Sequence, residues 1–263
     1  MRINNNITAL NSHRQYTVNN SGISKNVEKL SSGFRVNRAG DDAAGLAISE
    51  KMRTQIRGLN MASKNSQDGI SLVQTAEGAM QTAHNIMQRM RELAVQSANG
   101  TNDDCVDRNA LDLEFSQLTV EINQIKTTVK FNDMDIFNKD FKIQSGANKD
   151  DETSFKVGDL AISATNIKSQ TSASAAIEAM TKSINSLSTT RAQLGAVQNR
   201  LEFKIQNLDN SAENLAAAES RIRDVDMAKM MTEFTKNNIL FQASTAMLAQ
   251  ANAIPQGVLQ LLG

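Results

Sequence analysis

Proline, tyrosine and cysteine each occur once in these 263 residues and tryptophan not at all, beside 13 glycines and 9 phenylalanines. So few turn-makers and bulky rings are poor material for the looped, aromatic-lined cores and pockets of compact enzymes, and they favour long helices. The lone thiol, Cys105, forms no disulfide within the chain and says nothing of a redox compartment. Lys and Arg (28) balance Asp and Glu (28), which removes any broad electrostatic reason to bind nucleic acid or an anionic membrane. No apolar run approaches the roughly 18 residues of a membrane span. The start, Met1-Arg2-Ile3-Asn4-Asn5-Asn6-Ile7, lacks the apolar centre of a secretory signal peptide, so export by this reading takes another route.

What is present is helical periodicity. From about 43 to 98, Ile56, Leu59, Ile70, Val73, Met80, Met87, Met90 and Leu93 recur at helical intervals, with a possible interruption at Gly69. Asp41-Asp42 supply an N-cap, Asn99-Gly100 a stop, and Asp103-Asp104 a cap for the next helix. In that helix Leu111, Phe115, Leu118, Ile122, Ile125 and Val129 alternate by four and three, a coiled-coil-like seam. Between 132 and 158 Gly, Asn and Asp cluster, and period-two alternation in Phe141/Ile143, Phe155/Val157 and Leu160/Ile162 predicts a small β element. After Ser172, Met180, Leu187, Leu194, Leu201, Leu208, Leu215 and Ile222 occupy successive heptad positions. A helix continuous from there to 236 would be about 95 Å long, which predicts a rod.

The two ends carry the strongest clue. Residues 237–263 contain no charged side chain in 27 positions. Asn238, Gln242, Thr245, Asn252, Gln256 and Gln260 fall near multiples of the helical repeat, so one face is polar yet neutral. A membrane-surface helix would carry Lys or Arg on that face. Packing on its own protein explains the pattern, and so does burial between subunits with the uncharged stripe lining a wet interior. Residues 1–40 carry six basic residues against Glu28 alone. Neither end has enough apolar surface to offset the entropy of ordering it, so both are expected to fold on assembly.

Chemistry is sparse. His13 and His84 belong to no zinc-ligand spacing, Cys105 has no local catalytic signature, and residues 40–45 imitate two P-loop glycines without the following Lys-Ser/Thr. Asp224 and Asp226 read as a solvated helix face. No catalytic residue, cofactor or metal is expected.

Three stretches then stand in one order: LSSGFRVNRAGDDAAGLAIS at 30–49, ENLAAAESRIRDVDMA at 213–228 and LAQANAIPQGVL at 248–259. Through them the chain resembles the bacterial flagellins. The resemblance implies a mainly α fold, an elongated antiparallel helical bundle or coiled coil with a small β-hairpin region at about 131–165 and termini paired as helices. Residues 1–42 with 228–263 would form the inner-tube domain and 43–227 the helical rod, without a large central outer domain. It implies a structural, non-enzymatic subunit that polymerises with itself into the flagellar filament for motility. Type III export would place it outside the cell, or in the periplasm. Implied partners are an export chaperone, the filament cap and the hook-junction proteins. The stretch QRMRELAVQS at 88–97 resembles that read by the flagellin-sensing Toll-like receptor of a host, and assigns receptor contacts to Arg89, Leu93 and Glu114. A hook–filament junction protein shares the terminal features and stays an alternative; a non-assembling coiled-coil adaptor explains the heptads but not the uncharged tail.

Overall fold

The computed structural model describes residues 6–103, 106–162 and 166–262, giving the backbone alone at 255 and 257–262. Cys105 and Asp104 lie outside the described residues, as does the side chain of Gln260. The fold is mainly α: α1 (Ile7–Ser32), α2 (Ala43–Ser97), α3 (Asp107–Thr128), short strands β1 (Lys130–Phe131) and β2 (Met134–Asp135), β3 (Lys139–Gln144), β4 (Glu152–Val157), then α4 (Gln170–Arg223) and α5 (Met227–Leu262). Two compact units result, Arg57–Ala212 and Met1–Ile56 with Glu213–Gly263.

The first unit is a helical bundle around one core. Along α2, Ala62, Ser66, Gly69, Val73, Ala76, Met80, Ala83, Met87, Met90, Ala94 and Ser97 are all buried, an unbroken four-three alternation. Gly69 does not interrupt the helix. A Cβ there would run into Ile143 of β3, so the glycine lets the hairpin close on the helix rather than ending it. On α4, Met180, Leu187, Leu194, Leu201 and Leu208 are buried as the heptads predict. Phe115 and Ile122 of α3 face the same core, flanked by Leu111, Leu118, Ile125 and Val129. Flexible methionines (Met80, Met87, Met90 and Met180) fill space that aromatics take in rounder proteins.

β1 and β2 are joined at Asn132 and Asp133, both with positive φ (49° and 61°), a conformation these short polar side chains tolerate. β3 and β4 pair antiparallel with Phe141 opposite Phe155, their rings stacked at 5.9 Å. Leu160 and Ile162 lie in no strand, although Leu160 is buried: the alternation there belongs to a segment that pairs with no strand among the described residues. Arg108 is buried and spends its guanidinium on the end of α2, with Nε donating to the Ser97 carbonyl (2.9 Å) and Nη2 to that of Asn99 (3.0 Å). Val106, not Asp103, stands at the α3 N-cap, and its own side chain makes no capping bond.

The long helix expected to reach 236 stops at Arg223. The backbone amide of Val225 leaves the helical ladder to donate to the Gly33 carbonyl (3.0 Å), and Asp226 restarts the chain by accepting from the Lys229 amide (3.1 Å). Asp226 is therefore a helix cap rather than part of a solvated face.

Candidate functional site

The terminal unit is built from two helices and a junction. Gly33 ends α1 in the left-handed conformation (φ 74°), its amide donating to the Lys29 carbonyl at 2.9 Å. The chain then runs beside the α4–α5 break: Phe34 pairs with Asp224, and the Arg35 amide donates to the Arg223 carbonyl at 2.7 Å. Arg223 sits over the Phe34 ring, 4.6 Å from its centroid, with its side chain 12% exposed, and Nη1 reaches the exposed Glu50 carboxylate at 2.6 Å. That contact holds the Glu50 carboxyl below the usual carboxylate range. Asp41 tightens the following loop by accepting from the amides of Arg38 (3.0 Å) and Asn37 (3.2 Å), and those bonds lower its pKa. Asp42 caps α2 through the Gly45 amide at 2.8 Å. The central part of the 30–49 signature thus has a physical job: it turns the chain out of α1 and seats it against residues 223–225.

Beyond the junction α1 and α5 run antiparallel. Asn6 donates to the Ala251 carbonyl (2.7 Å), Asn19 to the Ser244 hydroxyl (2.9 Å), and the Tyr16 and Phe241 rings lie 4.9 Å apart. Large apolar side chains stay in solvent on both helices: Ile7, Leu10 (66% exposed), Val18 and Val27 on α1; Met231, Ile239, Leu240, Met247 (65%) and Ile254 on α5. An amphipathic pair buries such residues, and here they face outward. Of the neutral stripe, Gln242, Thr245, Asn252 and Gln256 are exposed and Asn238 is half-buried. Gln242 reaches Asn238 at 3.4 Å, so the stripe is partly bonded along the helix.

In the bundle, Arg89 and Glu114 meet at the surface. Arg89 Nε donates to Glu114 at 2.9 Å and Nη1 to Glu92 at 3.3 Å, which raises the arginine pKa. Leu93 lies in the core at 1% exposure, beside Met90. Sequence reasoning passed over Arg223, Glu50 and Arg108. Nothing in their local spacing marks them, because Arg108 acts on backbone carbonyls, Arg223 on a ring and Glu50 on the Arg223 guanidinium, partners that only the folded chain brings near. Among the described residues no group of three or more His, Cys, Asp or Glu could hold a metal ion, and no helix is long and apolar enough to cross a membrane.

Residues 3–142 match the model of the bacterial flagellin N-terminal helical region, and residues 177–262 that of the C-terminal helical region. Over the full length of both chains, this one is 57% identical to a flagellin of Halalkalibacterium halodurans and 52% identical to one of Bacillus subtilis. It is 46% identical, again end to end, to the flagellar filament 33 kDa core protein of Treponema phagedenis. Among solved structures, a Bacillus cereus flagellin aligns with a TM-score of 0.51 at 34% identity, covering 59% of this chain and 94% of that one.

Proposed function

The chain belongs to the bacterial flagellin family and is a structural subunit of the flagellar filament, and from that premise we propose that the α1–α5 pair is the element through which copies polymerise. The observation that carries this reading is the row of large apolar side chains left in solvent on both helices. Burying one of them contributes about 1.5–3 kcal/mol, so a handful per subunit suffices to drive association. On this reading residues 1–42 with 228–263 form the inner tube and order fully only on assembly, while 43–227 form the surrounding helical domain. Asn238, Gln242, Thr245, Asn252, Gln256 and Gln260 then line a channel that holds a passing chain neither by charge nor by apolar adhesion. Secretion by the flagellar type III route, placement outside the cell, and contact with an export chaperone, the cap and the hook-junction proteins follow from the same reading. Purified protein seeded with filament fragments and followed by electron microscopy tests it: elongating tubes support the assignment, and permanently solitary chains at high concentration refute it.

A second reading rests on the 88–97 stretch. The exposed Arg89–Glu114 pair is a surface that a host Toll-like receptor could grip, whereas Leu93, which the resemblance also names as a contact, is buried at 1% exposure and offers the receptor no surface in this conformation. Reporter cells given monomer check this. Arg89→Ala is expected to lower the response severalfold, and an equal response removes Arg89 from the contact surface.

A further inference from the structure

The seam between α1 and α5 is filled in an unusual way. Helix pairs normally meet through apolar side chains, whereas this seam sets asparagines beside the Tyr16–Phe241 ring contact. Asn6 and Asn19 each donate an amide across it, to Ala251 at 2.7 Å and to Ser244 at 2.9 Å. Asn237 lies against Gly22, its Nδ2 3.1 Å from where a Cβ would stand, so the glycine makes room for the amide. Asn26 is 8% exposed and its Nδ2 has no hydrogen-bond partner among the described residues.

An aliphatic seam is nearly as content one heptad out of place as in place. A side-chain amide bonded to a side-chain acceptor is not: half-buried Asn19 reaches the Ser244 hydroxyl in the native register, and a slip that sets it opposite Ala251 leaves it without that acceptor. The unpartnered amide of Asn26 shows that this seam is not optimised for stability. The outward side chains of the same helices do not meet one another, so they do not fix the offset of one helix against the other. A slip of one heptad would displace those faces by about 10 Å.

We propose that Asn19, through its bond to Ser244, is a register-setting residue, which trades stability of the α1–α5 pair for a single antiparallel offset, so that every copy offers the same surface to the next. The proposal rests on the reading of this pair as the polymerising element. It is tested in full-length chains carrying Cys105→Ser. Tyr16→Cys is combined with Phe241→Cys for the native offset, or with Phe234→Cys or Leu248→Cys for offsets one heptad either way. Cross-linking is followed in filaments, and the single-chain product is identified by its mass on denaturing gels. The natural seam is expected to favour the 16–241 link by about tenfold or more, because offset determines the effective concentration of the two thiols. Asn19→Leu is expected to narrow the margin to about threefold or less, in filaments or, should that variant not assemble, with both chains compared as monomers. Ser244→Ala, which removes the acceptor of Asn19 without adding bulk, narrows it in the same direction.

A leucine seam that keeps the full margin overturns the proposal, as does a natural seam that shows none. Failure of the natural chain to elongate from seeds would instead remove the polymerisation reading, and its cross-link margin in the monomer would still decide the register.

Discussion

Replacing Arg223 by alanine separates two accounts of what holds the junction together. The guanidinium makes a 2.6 Å ion pair with Glu50 and a 4.6 Å stack on Phe34. Glu50 is well exposed, and water and salt reduce a pair of that kind to less than about 1 kcal/mol. The stack is sheltered, since the Arg223 side chain is 12% exposed, and a desolvated cation–π contact contributes about 1–2 kcal/mol. Hydrogen exchange in filaments, read at the Arg35 and Val225 amides that bridge the two strands, reports local opening directly. Arg223→Ala is expected to speed their exchange roughly 5–30-fold, the factor that corresponds to 1–2 kcal/mol. Phe34→Leu should do most of the same damage and Glu50→Gln very little, with the Arg223→Ala/Phe34→Leu double variant little worse than Arg223→Ala alone. Equal damage from Glu50→Gln, or no change on Arg223→Ala, would refute the ranking of these contacts.

Gly78 has no atom within 4 Å of an added Cβ, so Gly78→Ala should stabilise by about 1 kcal/mol and raise the thermal midpoint. Gly69→Ala should forfeit that gain against Ile143, and adding Ile143→Val, which removes the colliding methyl, should recover it; equal midpoints for both alanines would contradict the packing argument. Asp41 has a folded pKa below its unfolded value, so its contribution to stability is fully present above the unfolded value and is lost as pH falls through the lower folded one. The loop at residues 37–41 should therefore be indifferent to pH at and above about 5 and loosen only in acid below about 4. Chemical shifts of the Asn37 and Arg38 amides against pH check this, and a midpoint at or above the ordinary aspartate value would contradict it.

Periodicity made the bundle legible: Met180, Leu187, Leu194, Leu201 and Leu208 repeat every seventh residue, and a repeat that long has few other uses. What it could not show was where a helix stops for a reason supplied from elsewhere. Leu215 and Ile222 continue the heptads towards Asp226, and the break at 224–226 comes from bonds to Gly33 and Arg35, nearly two hundred residues away in the chain. Gly69 misled in the opposite sense. A glycine amid helical spacing suggests a break, and only the packed hairpin reveals the Ile143 methyl that excludes a larger residue. The neutral stripe was readable because charge is absent from a long segment. The asparagine seam was hidden, because Asn6, Asn19 and Asn26 look like ordinary polar residues until α5 is laid beside them.

Deleting residues 237–263 tests the central claim most directly. It removes the Phe241, Ser244 and Ala251 partners of α1 together with the exposed apolar positions of α5 from Ile239 onward. Offered filament seeds, the truncated chain is expected to stay soluble and largely helical by circular dichroism, its bundle core at 57–212 intact, and to add no measurable length to the seeds. Elongation of those seeds by the truncated chain would contradict the account.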